Sequence, residues 1–196
     1  MGTKVSAILL AAGRSQRMGA PKPLLPVQGR PAVVRCLEGL QGSQVADIVL
    51  VVNPEGGGIV EAVMGFPVRV AVNEMPGSDM AGSVKAGLHL VNRDATAVLV
   101  CLCDHPLVRP ETIEAMVSLH ARLPGAIVIP AWHGRRGHPT LFPRVVLEDL
   151  GTFATLRDVI GHHNAKITLL DVDDEGVVLD MDTPEDYRRI LDRFGP

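Results

Sequence analysis

Short apolar, β-branched runs recur along the chain, each bounded by turn residues and separated from the next by an amphipathic or polar stretch. Val5 to Leu10, Ile48 to Val52, Val68 to Val72, Ala97 to Leu102 and Ala126 to Ile129 read as five strands. Most are apolar at nearly every position instead of alternating, which is the pattern of parallel strands covered on both faces by helices. Between them, Ser83 to Val91 places Val84, Leu88 and Val91 on one helical face. Pro110 to Arg122 opens with proline and acidic residues, then sets Ile113, Met116, Val117 and His120 on one side. A last helix follows Thr183-Pro184 and carries Tyr187, Ile190 and Leu191, with Thr183 and Asp186 spaced as a capping box. This alternation predicts a single-domain, doubly wound α/β fold over residues 1–196, Rossmann-like, with a mostly parallel sheet flanked by helices.

Four segments carry chemistry that this pattern does not require. The first is the loop after the first strand, Leu10-Ala11-Ala12-Gly13 through Arg17 to Lys22. Ligands in open α/β sheets sit beyond the carboxyl ends of strands. Small residues at 11–13 let backbone N–H groups approach phosphate oxygens, and Arg17 and Lys22 supply the cationic groups a triphosphate needs. A glycine-containing turn with solvated basic residues fits this loop equally well by itself. Neither the Walker pattern nor G-x-G-x-x-G is present.

The second is Asp104, where an apolar strand ends. An acid there is costly to bury without a partner, and Mg²⁺ bound by one or two carboxylates, phosphates and water would provide one; a turn cap is the plainer alternative. His105 either touches substrate or packs under Pro106. The third is Leu179 to Tyr187. Capping explains Thr183, Pro184 and Asp186 but leaves Asp180 and Asp182, which point the same way if the segment is extended. They are candidates for a further metal ligand. The fourth, Trp132 to Phe142, mixes glycines with arginines and histidines and reads as a mobile substrate loop or a plain surface loop.

Composition narrows the partners. Hydrophobic residues make up 46% and charged residues 21%, with a net charge of -3 and no basic run, which speaks against nucleic-acid binding. No apolar stretch approaches the ~20 residues of a membrane span, and the N-terminus lacks a secretory pattern. Cys36, Cys101 and Cys103 are too few for a disulfide scaffold. A cytoplasmic protein is expected.

Taken together, the loop LAAGRSQRMGAPKPLL, Asp104 before His105-Pro106, Gly137-His138-Pro139 and the ending DMDTPEDY resemble, in order, the motifs of the MobA-like nucleotidyltransferases. Within them the chain is most similar to the molybdenum cofactor cytidylyltransferase (MocA-like) branch. It departs from the pattern at Cys103, where glycine is common, and at His105, where glutamine or methionine is frequent.

The resemblance implies a fold of nucleotide-diphospho-sugar transferase type. It assigns Leu10, Ala11, Ala12, Gly13, Asn73 and Ser83, with the rest of the Gly77 to Ser83 segment, to the nucleotide, and Arg17 and Lys22 to the triphosphate. Asp104 with Asp180 or Asp182 would hold Mg²⁺, and Gly137 and His138 would lie near the acceptor. Ala12, where the guanylyltransferase branch has a second glycine, favours CTP over GTP. The implied reaction is transfer of CMP to the terminal phosphate of molybdopterin, with a molybdenum hydroxylase as possible client. Alternatives are GTP or a sugar or polyol phosphate as substrate, or a non-catalytic cofactor carrier or insertion chaperone.

Overall fold

The structure, a computed structural model, describes residues 3–13, 15, 18–75 and 79–195. Its strands are β1 (Val5–Leu10), β2 (Pro26–Val27), β3 (Arg30–Pro31), β4 (Asp47–Val52), β5 (Arg69–Val72), β6 (Ala97–Leu102), β7 (Ile127–Trp132), β8 (Arg135–Arg136), β9 (Thr140–Pro143) and β10 (Ile167–Asp171). Its α-helices are α1 (Ala32–Gln41), α2 (Gly57–Ala62), α3 (Met80–Leu88), α4 (Pro110–Arg122), α5 (Arg144–Leu147), α6 (Leu156–His162) and α7 (Pro184–Phe194).

The main sheet has the order β10-β7-β9-β6-β1-β4-β5, with β8 paired to β7. Pairings β6–β1, β1–β4, β4–β5 and β7–β10 are parallel, whereas β9 runs antiparallel to both β6 and β7. The doubly wound, mostly parallel α/β arrangement expected from the apolar runs is therefore present.

Continuous apolar character follows from burial on both sides. Val5, Ala7, Leu9, Leu50, Leu99 and Cys101 enter a core with α1, α2 and α4, while Ile8, Val49, Val51, Val98 and Val100 enter another with α3, α5 and α6. α3 comes unusually close to the sheet at Gly87, where a Cβ would lie 2.9 Å from Ile8 and 3.0 Å from Val51. A third, smaller core of Val27, Ala32, Met181 and Ile190 seats α7 against the β2–β3 hairpin.

Several expected elements shift. Helix α4 has the predicted bounds, and Ile113, Met116, Val117 and His120 are all buried. Helix α3 starts at Met80 instead of Ser83, because Asp79 caps it by accepting a hydrogen bond from Gly82 N at 3.0 Å. The segment from Trp132 to Phe142 is not one loop: it contains the end of β7, β8 and most of β9, which inserts between β6 and β7. Four residues after Gly-His-Pro are too few to show a period, so β9 has no sequence signal.

The C-terminal segment is fastened by Asp174, only 3% exposed. Its carboxylate accepts from Arg109 N at 2.9 Å, Thr112 Oγ1 at 2.7 Å and Gly176 N at 3.0 Å. Gly176 lies so close to Leu107 that a Cβ would meet its carbonyl oxygen at 2.3 Å. Asp174→Ala leaves a buried and a partly buried backbone donor and a buried hydroxyl unsatisfied, so a loss of about 3 kcal/mol is expected. Calorimetry should show Tm lower by about 6–12 °C.

Candidate active site

β1 has β4 on one side and β6 on the other, so the chain reverses its winding direction at β1. The ends of β1 and β6 are level, with Leu10 opposite Leu102. Ala11 N donates to Val51 O at 2.8 Å and Cys103 N to Leu10 O at 3.1 Å, which carries the sheet's bonding one residue into each loop. Beyond this point the loops part, and a cavity of about 280 Å³ opens at the topological switch point. Leu10, Ala11, Ala12, Gly13, Lys22, Ser83 and Asp104, all singled out from sequence, line it together with Ser15, Asp79 and Met80.

The cavity's charged floor is a three-residue contact. Lys22 Nζ donates to Asp182 Oδ1 at 2.6 Å and lies 3.7 Å from Asp104 Oδ2. The other oxygen of Asp104, Oδ1, is buried with no hydrogen-bond partner among the described residues. His105 Nε2 is 4.0 Å from it, too far for a hydrogen bond. Lys22 is itself aimed by its backbone: Lys22 N donates to Ser15 Oγ at 2.9 Å.

Asp180 and Asp182 flank Met181, which is fully buried and whose N–H donates to Asp104 O at 3.0 Å. With Met181 plugged into the α7 core, both acids turn to the other side, as the alternation expected. They share a second cavity of about 360 Å³ with Asp104, His105, Arg135, Arg136, Gly137 and His138. Burial pushes the Asp180 carboxyl above the usual carboxylate range; His105 opposes the shift, while Asp182, Asp104 and Asp186 add to it. After Met181, the Thr183–Asp186 capping box starts α7 as expected, and Tyr187 Oη donates to Pro26 O at 2.6 Å.

Gly137 and His138 reach this cavity on a held backbone. Gly137 N donates to Pro130 O and His138 N to Val177 O, each at 2.8 Å. A Cβ at Gly137 would lie 2.2 Å from Val177 O, so only glycine fits. The His138 ring sits 5.0 Å from that of His105. Burial, with His105 adding to it, lowers the His138 imidazole to about 4, so it is neutral at physiological pH.

Asn73 stands behind Ser83, which lines the cavity. Its Nδ2 donates to Ser83 Oγ at 2.9 Å, which makes it a support for Ser83. Arg17 lies outside the described residues. Sequence reading passed over Asp174 and met Asp79 and Met80 only as members of the 77–83 segment; Arg135 and Arg136 appeared there only as loop composition. Cys101 and Cys103 sit in the core below the loop, and Cys36 Sγ lies 3.8 Å from Cys103 O. Burial raises the Cys101 thiol first, with Cys36 adding to it.

The carboxylates suit a hard cation. Among the described residues no three His, Cys, Asp or Glu side chains gather closely enough to hold a metal unaided. Mg²⁺ keeps water and substrate phosphates beside one or two carboxylates, and the orphaned Asp104 oxygen is a candidate ligand for such an ion.

Residues 7–167 match the MobA-like NTP transferase domain. The chain belongs to the MobA-like NTP transferase family. Among its relatives, this MobA-like chain is 34% identical to 2-C-methyl-D-erythritol 4-phosphate cytidylyltransferase of Frankia casuarinae over 74% of its length and 50% of that protein's. It thus spans about half the length of the cytidylyltransferases it matches. Nicotine blue oxidoreductase of Paenarthrobacter nicotinovorans is 29% identical over 95% of this chain and 96% of its own. Of solved structures, Rv0371c of Mycobacterium tuberculosis H37Rv is similar with a TM-score of 0.84, 26% identity, and coverage of 98% of this chain and 99% of that one. No helix of the described residues is long and apolar enough to cross a membrane.

The neutral His138 has a stability signature. Unfolded, an imidazole takes a proton near pH 6.5, but in the folded chain it does so only near 4. Between those values the unfolded state holds more protons, so stability falls on acidification through that window. Denaturant titrations at several pH values should show a slope there that is absent in His138→Gln.

Proposed function

We propose that this chain is a Mg²⁺-dependent nucleotidyltransferase that transfers CMP from CTP to molybdopterin and releases pyrophosphate. The observation that carries this reading is the Lys22 ammonium, held between Asp182 and Asp104 where two cavities meet. Asp104 lines both cavities, so a group held there faces nucleotide on one side and acceptor on the other. At Gly13 a Cβ would meet nothing within 4 Å. The protein itself therefore does not demand glycine there, in keeping with a phosphate or ribose approaching the backbone.

In this reading Leu10 to Gly13 and Ser83, braced by Asn73, hold the nucleotide. Lys22 leaves Asp182 for the triphosphate and, with Arg17, offsets its charge. An oxygen of the acceptor phosphate attacks the α-phosphorus in line. The bond from that phosphorus to the bridging oxygen breaks, and its electron pair leaves on pyrophosphate. A phosphate nucleophile is already ionised near neutral pH, so no general base is needed, and positioning and electrostatics supply the rate. Mg²⁺, held by Asp104 with Asp180 or Asp182, would neutralise charge on the phosphates. Rv0371c has been crystallised in complex with manganese, which supports a divalent ion. Gly137 and the neutral His138 border the acceptor. The MocA-like motifs and Ala12 support molybdopterin and CTP, and a molybdenum hydroxylase would then be the client.

A redox reading draws support from the full-length match to nicotine blue oxidoreductase. It would put a hydride or electron carrier in the place of the triphosphate and leaves Lys22 and the carboxylates without a task. The assay is pyrophosphate release from each NTP with Mg²⁺ and molybdopterin. Release is expected with CTP, and Asp104→Ala should lower it about 100-fold or more. Release with GTP alone overturns the base assignment. Tight acceptor binding without release from any NTP indicates a carrier, and turnover of a reduced carrier in place of CTP indicates the redox reading.

A further inference from the structure

A third cavity, of about 460 Å³, opens beside the other two on the α3–α6 face of the sheet. Its inner wall is Val100, Phe142 and Leu156, exposed by 3%, 1% and 7%. Ile160 and Arg157 of α6 form its outer wall. Nothing in the nucleotidyl-transfer mechanism uses it. It is nevertheless joined to the reaction site, because His138 lines both this chamber and the carboxylate cavity, and Met80 lines all three.

Two further observations bear on what fills it. Met80 is 42% exposed at the junction, an apolar, polarizable side chain left facing solvent where a ligand must pass. Arg135 and Arg136 line the carboxylate cavity, and neither forms an ion pair with a described residue. Arg157, at the chamber, is likewise without one, and a guanidinium in that position can lie flat on a planar ring.

These observations divide an acceptor into two parts. Its anionic head belongs with the guanidinium groups of Arg135 and Arg136, near Asp104. Its body must then leave past His138 and Met80, and the space open to it is largely apolar, with Asp79, Thr140 and Thr155 also in its lining, and of the size that holds small organic ligands, about 300–1,000 Å³. A small polyol phosphate is accommodated in the carboxylate cavity and would leave the apolar chamber filled with water. We propose that the chamber receives the bulky, largely uncharged, ring-containing body of a phosphate-monoester acceptor, and that Ile160, Leu156 and Phe142 make the enzyme selective for such acceptors over small polyol phosphates. This rests on the nucleotidyltransferase reading for the phosphate head, while the chamber itself is tested by binding.

The test fills the chamber. Ile160 is half-buried at its rim, so Ile160→Trp places a large side chain in the space, and Ile160→Phe does so more mildly if the first variant does not fold. Binding of metal-free pyranopterin phosphate and of 2-C-methyl-D-erythritol 4-phosphate is measured by calorimetry in the presence of a non-hydrolysable CTP analogue. The pyranopterin phosphate is expected to bind the wild type and to weaken about tenfold or more in the variant. The small ester and the CTP analogue should change by no more than about twofold, the latter certifying the fold.

Unchanged pyranopterin affinity in a variant that binds the CTP analogue normally overturns the proposal. So does preferential binding of the small ester by the wild type. Chamber-dependent binding without pyrophosphate release upholds the chamber and overturns the catalytic reading instead.

Discussion

The ion pair between Lys22 and Asp182 joins side chains 160 positions apart in sequence, one from the loop after β1 and one from the segment before α7. Both are partly shielded, with Lys22 exposed by 14% and Asp182 by 36%, so the contact is worth more than a solvated surface pair but is still open to exchange. Ser15 aims the lysine from one side. Met181, buried between two acids, fixes the aspartate from the other. Asp104 completes the triangle because its strand, β6, ends level with β1. Remove the alignment of these three supports and the charges no longer meet.

The supports are mostly apolar or backbone in kind, which leaves the charged groups facing the cavities. The Asp174 carboxylate ties backbone N–H groups together, while Gly176 and Gly137 set backbone against backbone with no room for a side chain larger than hydrogen. The carboxylates of Asp104, Asp180 and Asp182 are thereby held facing one cavity, with Lys22 set against two of them, and burial raises the carboxyl of the third, Asp180. A site built in this way is ready for a cation and an anionic ligand to enter together.

Much of this was legible in the sequence, and for identifiable reasons. Asp104 stood out because an acid stands where an apolar strand ends. Asp180 and Asp182 stood out because capping accounted for their neighbours and not for them. The central strands and α4 announced themselves through burial on two faces and a clean helical period. Asp174 did not, since it sits among Asp171, Asp173 and Glu175 and only tertiary contact picks it out. β10 is a half-buried edge strand, and β9 is four residues long, so neither carries a readable pattern. The resemblance places Asn73 at the nucleotide, and the structure adds that its amide braces Ser83. The arginines of β8 looked like loop composition until pairing with β7 placed them at the cavity.

The central claim is that Lys22 holds the place of a divalent cation between Asp104 and Asp182 until a triphosphate draws it away. The most direct measurement is a Mn²⁺ titration followed by electron paramagnetic resonance, with and without a non-hydrolysable CTP analogue, on the wild type and on Asp104→Asn/Asp182→Asn. The account predicts weak Mn²⁺ binding alone, binding about tenfold or more tighter with the CTP analogue, and loss of that gain in the double variant. Equal Mn²⁺ affinity with and without the nucleotide, or a gain undiminished in the double variant, would contradict it.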